Sequence, residues 1–344
     1  MEVKHKKDTR FLFTFDYELF LGPETGSIER CLLVPTERLL DLGRKYGVKY
    51  VFFVDTLFLI KLHEESKYIQ HLDADYRNVV TQLKKASLEG HEIGLHLHPQ
   101  WYYSSYDTKN NRWLLDYKHY KLADCSFIDI EKMVRLSCEL INEITGTPPL
   151  SYRAGGYSAP NTKEFWDLLR DNGIRYDTSV IMGEQSNTSF QSYDYSYLIS
   201  PIPFRFSYKN TVVDAEGHFM EFPISTLVVS RLFRAIVEKP LIKIYHNYLS
   251  VFGDGKGVGF LYDKQIPTSQ KPGLLDPIRL RSSVDFRNAV WAKKFIKNGI
   301  RKQYPYIVFI GHPKNQTEYS LKKIEQLLKN RQFAAKVITF RDIV

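Results

Sequence analysis

The sequence predicts an α/β fold built on a parallel sheet, either closed as a barrel or left open. Three observations carry that prediction. Short β-branched and aromatic runs alternate with amphipathic stretches about eight times, the rhythm of parallel strands joined by crossover helices. The 344 residues are 43% hydrophobic, 14% aromatic and 25% charged, which excludes a disordered, collagen-like or coiled-coil chain. No repeat, low-complexity segment or Pro- or Ser-rich linker divides the chain, so its length suits one large α/β barrel as well as two small domains.

The elements follow in order. Phe11–Glu18 reads as a strand and Thr36–Tyr46 as a helix with one apolar face. Val48–Val54 is a buried strand, followed by a helix over about Asn78–Leu88. His91–His98 forms a third strand, and Ile128–Thr145 a helix ended by Gly146 and two prolines. Ser151–Gly156 is a strand, Lys163–Asp171 a helix closed by Asn172-Gly173, and Arg175–Val180 a further strand. Phe219–Ser225 and Tyr306–Ile310 continue the series, before a helix over Glu318–Lys329 and a last strand at Lys336–Phe340. Gly183–His218 and Phe252–Leu280 break the rhythm, and irregular segments of that length usually serve as lids or binding loops. The Gly253–Gly259 run (GDGKGVG) lacks the flanking strand and helix of a nucleotide loop, and reads as a flexible lid.

Net charge is +9, and it is local: residues 231–302 hold 15 basic and 5 acidic side chains. Such a face suits an acidic polymer, a phosphate-bearing substrate or an anionic membrane surface, and equally a merely solvated face. Three cysteines, Cys31, Cys125 and Cys138, without a CxxC, do not make a disulfide framework. The apolar run after the charged N-terminus is broken by Asp16 and Glu18, unlike a signal peptide. With no run long enough to span a membrane, a cytoplasmic, reducing location is expected.

Polar residues collect at strand C-termini, where α/β barrels place their active sites. Asp16 and Glu18 lie two apart in TFDYE, so both point to one side of an extended chain. Read alone, they are also what two exposed loop acids would look like. His96 and His98 share one face of HEIGLHLHP, and imidazoles beside carboxylates form a set that zinc accepts. His91, at the start of that strand, reads as structural. Arg153 in YRAGGYS is placed to pair with Asp16, and the following glycines would let backbone amides approach a substrate oxygen. His312, in IGHP, is a third histidine at a strand end and a candidate acid or base.

In this order and spacing the segments resemble the polysaccharide deacetylases, carbohydrate esterase family four with its NodB-homology fold. The resemblance runs from Asp16 to His312. It implies a distorted (β/α) barrel of about seven or eight parallel strands, one catalytic domain over 1–344 with insertions at about 183–218 and 252–280. It also implies one divalent metal, usually zinc, with cobalt, nickel and iron as alternatives. TFDYE is similar to the first family motif, making Asp16 the general base. Tyr17 stands where the common form has a second Asp, and a D-x-E variant makes Glu18 the metal carboxylate. GHEIGLHLHP is similar to the second motif, whose histidines would be His96 and His98, two apart instead of the usual four. YRAGGYS resembles the arginine motif, so Arg153 would hold the base, with Gly156 and Tyr157 at the oxyanion. IGHP resembles the last motif, making His312 the general acid. No fourth motif with its Asp and Trp is found, although Glu221-Phe222-Pro223 lies in the expected region.

The expected activity is removal of an N-acyl group, N-acetyl foremost, from an amino sugar of a surface glycan or its precursor. The substrate is expected to be anionic or lipid-linked, with membrane-surface contact through 231–302. Three rivals stand beside this reading. They are an allantoinase-like hydrolase of a non-sugar C–N bond, a degenerate carbohydrate-binding barrel, and a nucleic-acid binder. The last ranks lowest, because the basic stretch contains no recognisable DNA or RNA module.

Overall fold

The computed structural model describes residues 8–257 and 273–343. Its centre is an eight-stranded curled sheet. The strands are β1 (Arg10–Tyr17), β2 (Val51–Asp55), β3 (Glu92–Leu97), β4 (Ser151–Ala154), β5 (Tyr176–Asp177), β6 (Phe204–Phe206) and β7 (Phe219–Glu221). The eighth comes late in the chain, after a separate antiparallel pair, β8 (Thr226–Ser230) with β9 (Pro277–Arg281); it is β10 (Tyr306–Gly311). Spatial order is β6-β7-β5-β4-β3-β2-β1-β10, and only the β6–β7 pairing is antiparallel. Single bridges from Ile224 to Ile181 and Val308, and from Ser283 to Ile310, draw the open side together. The result is a distorted barrel, as the sequence pattern and its resemblance led us to expect.

Strand alternation sorts side chains into two cores. Phe11, Phe13, Phe15 and Tyr17 of β1 face the helices, as do Ile93, Leu95 and Leu97 of β3. Their neighbours turn inward: Leu12, Val51, Phe53, Val308 and Ile310 fill a smaller barrel interior with Ile224 and Phe340. Near-continuous apolar runs are what a parallel sheet covered on both faces requires. Gly94 faces this crowded interior, where a Cβ would sit 2.7 Å from the Phe53 ring and from Ser151 Oγ.

The expected helices appear as α1 (Val34–Tyr46), α3 (Gln70–Leu88), α4 (Phe127–Thr145), α5 (Lys163–Asp171) and α8 (Glu318–Leu328). Ser126 and Thr162 cap α4 and α5 by accepting from Asp129 N and Phe165 N. Among the described residues four helices had not been read: α2 (Thr56–Ser66), α6 (Arg231–Tyr245), α7 (Ala292–Arg301) and, after α8, a single turn over Arg331–Ala334. α2 buries Leu57, Phe58, Leu59 and Leu62 on more than one side, so its periodicity is faint. The last strand is corrected: 336–340 makes one bridge, Phe11 to Val337, and then turns into a short 3-10 helix over Phe340–Asp342. The GDGK part of the expected lid is tied down, with Gly253 N donating to Lys314 O, Lys256 N to Glu24 O, and Asp254 accepting from Ser27. Val258 and Gly259 lie outside the described residues, as does most of the expected insertion at 252–280. The 183–218 stretch is largely irregular, holding a small hairpin (Gln185–Asn187 with Ser192–Asp194) and β6.

Glu221, at the end of β7, does not reach the rim cavity described below. It is fully buried opposite Asp177 of β5, where Oε1 accepts from Val180 N. Burial and the Asp177 carboxyl beside it push its pKa well above the ordinary 4.5. The folded protein therefore keeps a proton here that the unfolded chain releases, and stability falls as pH rises above about 4.5. Glu221→Gln should raise the melting temperature relative to the parent at about pH 8 and lose that advantage near pH 4, read by calorimetry across pH.

Candidate metal and catalytic site

Parallel strands bring their C-terminal ends to one rim. There Asp16 and Glu18 (from β1), His96 and His98 (β3), Ala154, Gly156 and Tyr157 (β4) and His312 (β10) line a cavity of about 660 Å³. Alternation explains the selection. Tyr17 points the other way and donates from its hydroxyl to Gln82 Oε1 on α3. An acid at that position would sit among the helices, so a D-x-E pair is what aims two carboxylates inward.

Arg153 lies beneath the cavity with no exposed surface. Its guanidinium donates to Asp16 Oδ1 at 2.6 Å, to Thr14 Oγ1 at 2.8 Å and, through Nε, to Thr178 O at 3.1 Å. It stacks 4.4 Å over the Phe53 ring. One Asp16 oxygen is thus fixed and the other, Oδ2, faces His312 Nε2 at 3.6 Å. The His312 Nδ1–H donates to Asp285 Oδ2 at 2.7 Å, while Asp285 Oδ1 accepts from His312 N and Gln316 Nε2, both at 2.8 Å. Burial disfavours the imidazolium, but Asp285 outweighs it and raises the His312 pKa.

Glu18, His96 and His98 form a buried cluster whose potential ligand atoms lie within 4.8 Å of one another. Glu18 Oε2 stands 2.7 Å from His98 Nε2 and 3.3 Å from His96 Nε2, and the two imidazole nitrogens are 3.0 Å apart. His96 Nδ1 donates to Arg153 O at 2.7 Å, which leaves Nε2 with its lone pair toward the cluster. His98 Nδ1 lies 3.4 Å from the Gln100 amide, whose Oε1 has no donor among the described residues. Turning that amide over would satisfy Oε1 with the His98 Nδ1–H and free its Nε2 in the same way. Glu18 Oε2 is also buried without a hydrogen bond from any described residue. Two imidazoles and a carboxylate with converging lone pairs fit a divalent cation of the zinc type.

The other Glu18 oxygen, Oε1, accepts from Lys314 Nζ at 2.9 Å, and the same ammonium donates to Leu19 O at 2.6 Å. Burial alone would raise the Glu18 pKa; Lys314 and the two histidines instead hold it well below the ordinary carboxylate range.

Gly156 and Tyr157 are consecutive left-handed residues, at φ 56° and 62°, and turn the chain along the cavity wall. Tyr157 O accepts from Tyr195 Oη at 2.6 Å. His91 sits at the opposite end of β3, where Nδ1 accepts from Tyr50 N and burial lowers its pKa to about 3.

Asp285, Lys314 and Asp55 escaped the sequence reading. Asp285 lies some sixty residues after Glu221 and belongs to none of the strands or motifs singled out in the sequence. Lys314 follows His312 by two residues, so adjacency to IGHP was its one signal. Asp55 ends β2 opposite His96, and burial raises its pKa to about 8.

Lys314 leaves Glu18 only one oxygen to offer the histidines. Lys314→Met should therefore weaken divalent-metal binding about 10- to 100-fold, the usual cost of losing a partner that orients a ligand. Calorimetric titration of zinc into metal-stripped protein reads this, and unchanged affinity would show that Lys314 does not position Glu18.

A family model described as polysaccharide deacetylase matches residues 6–176. Among solved structures, a chain described as a polysaccharide deacetylase from Mycobacterium smegmatis is 14% identical over 98% of this chain and 94% of that chain, with a TM-score of 0.47. One so described from Pseudomonas aeruginosa PAO1 is 14% identical over 97% and 88%, with a TM-score of 0.49. The Puue allantoinase is 13% identical over 97% and 91%, with a TM-score of 0.47. No curated protein matches the sequence. The matched residues include the Asp16–Glu18, His96–His98 and Arg153 segments, and over residues 6–176 the chain belongs to the polysaccharide deacetylase family.

Proposed function

We propose that this protein is a metal-dependent hydrolase that removes an N-acetyl group from an amino sugar of a surface glycan or its precursor. The observation that carries the reading is the pairing of two devices in one cavity. A converging Glu18–His96–His98 set lies beside an Asp16–His312 couple, each of whose members is fixed from behind.

A divalent metal seated on Glu18, His96 and His98, zinc by the donor set, would supply Lewis acidity toward the acyl oxygen and toward water. The chain's own residues supply the rest. Arg153 holds Asp16 in place through Oδ1, leaving Oδ2 to take the proton of the attacking water. Backbone amides at Gly156 and Tyr157 stabilise charge developing on the acyl oxygen. Asp285 keeps the His312 Nδ1–H in place, so Nε2 faces the cavity and gives its proton to the departing amine. Phe190, Tyr120 and Leu21 form the apolar part of the wall and suit a sugar face and an acetyl methyl.

An anionic substituent on the sugar is supported by a second cavity of about 300 Å³ that shares Tyr157, Arg281 and His312 with the first. Arg234 and Arg279 also line it. Arg281 is held by Glu184 and stacks 5.1 Å over the Tyr157 ring, whereas Arg279 makes no ion pair with a described carboxylate. Site residues drawn from Asp16 through Lys314 favour one catalytic domain over 1–344.

Elemental analysis comes first: about one equivalent of divalent metal is expected, and it should be lost in Glu18→Ala/His96→Ala. Absence of metal after reconstitution would leave a barrel used for binding alone. With metal in place, Asp16→Ala and His312→Ala should each lower turnover on acetylated amino sugars by about 10²- to 10⁴-fold without loss of metal or fold. Full activity in either variant would remove that residue's assigned role, and turnover only of ureides would transfer the chemistry to a non-sugar C–N bond.

A further inference from the structure

Helix α6 is amphipathic the wrong way round for a globular protein. Its buried residue is the acid Glu238, which accepts from Arg234 Nε at 2.8 Å and from Trp291 Nε1 at 3.2 Å and pairs with Arg287 at 3.2 Å. Leu232, Phe233, Ile236 and Ile244 face solvent, Ile236 being 59% and Ile244 66% exposed. At 100° per residue these four fall, with Lys239 and Lys243, in one arc of about 140°. Both lysines are exposed, and this arc carries no acidic residue.

The surroundings extend that face. Leu232 N donates to Leu274 O and Arg231 N to Asp276 O, which sets Leu274 and Leu275 beside the first turn; they are 65% and 77% exposed. Lys294 of α7 lies 4.0 Å over the Phe233 ring and adds a third cation at the edge. Contiguous exposed apolar surface marks an interaction site. Its fringe of lysines, within a stretch holding 15 basic and 5 acidic residues, selects an anionic partner.

We propose that the outer face of α6, with Leu274 and Leu275, docks on the surface of a bilayer containing anionic phospholipid. Apolar side chains enter the headgroup boundary while Lys239, Lys243 and Lys294 meet the phosphates, the arrangement of an interfacial helix. No helix among the described residues is long and apolar enough to cross a membrane, so this contact is peripheral. Arg234 and Trp291, against which Glu238 holds the helix, line the cavity that also contains Asp285 and His312. Docking therefore brings the catalytic rim close to the lipid surface, where a sugar carried on a lipid phosphate would be presented.

Sedimentation of the full chain with phosphatidylcholine vesicles, with and without phosphatidylglycerol, tests the proposal independently of any activity. Binding is expected to the phosphatidylglycerol vesicles, at least about tenfold stronger than to phosphatidylcholine alone, and to fall with salt. Ile236→Ser/Ile244→Ser should weaken it about tenfold, and Lys239→Glu/Lys243→Glu should abolish the lipid preference, both with unchanged melting temperature. Absence of vesicle binding, or equal binding by the parent and both variants, would overturn the proposal. A dimer in size-exclusion chromatography that the serine variant dissolves, without vesicle binding, would overturn it in favour of a second copy of this chain.

Discussion

Three carboxylates, Asp16, Glu18 and Asp285, meet at one buried rim, and the structure around them is organised by the need to neutralise each one. A buried charge without a partner costs several kcal/mol, roughly the scale of a domain's whole stability. Each acid here has its own cationic or donor group: Arg153 for Asp16, Lys314 for Glu18, and the His312 imidazole with Gln316 for Asp285. The partners also hold geometry. Arg153 and Lys314 each occupy one oxygen of their carboxylate and leave the other turned toward the space where chemistry would occur.

The arrangement spans the chain. Residues within 6–176 supply Asp16, Glu18, His96, His98 and Arg153, whereas Asp285, His312 and Lys314 come from the C-terminal part. Parallel pairing of β1 with β10 makes this possible, since Phe15 lies opposite Gly311 and places the chain ends of both strands on one rim. A Cβ at Gly311 would sit 2.9 Å from the Phe15 ring and 3.0 Å from Asp285 Oδ1, so the approach of these segments depends on a glycine there. The same C-terminal part carries α6, whose buried acid grips Trp291 and whose apolar side faces outward. Because Arg234 of the same helix lines the second cavity, that cavity's wall and the exposed apolar surface are two sides of one element.

Much of this was legible because strand alternation is a local rule. TFDYE and HLH each place polar residues two apart, and in a strand that alone predicts a common face. Tyr17 and Leu97 confirm the rule from the other side by entering the helix-facing core. Local rules failed where burial was even or inverted. α2 is apolar on several sides, and α6 exposes the side chains that periodicity assigns to a core. The final segment, 336–340, has strand composition but meets β1 at one residue only, because Phe340 turns into the barrel interior instead.

The sequence by itself determined the alternation of elements, the inward pairs Asp16/Glu18 and His96/His98, and the strand ends that carry Arg153 and His312. These follow from spacing along a single strand. The tertiary structure alone decided which cation meets which acid: Asp285 reaches His312 across 27 residues and Lys314 reaches Glu18 across 296. Nothing in a one-dimensional pattern encodes those contacts, because they arise from which strands the sheet places side by side. The direction of a helix's apolar face is settled in the same way, by what the rest of the fold leaves for it to cover.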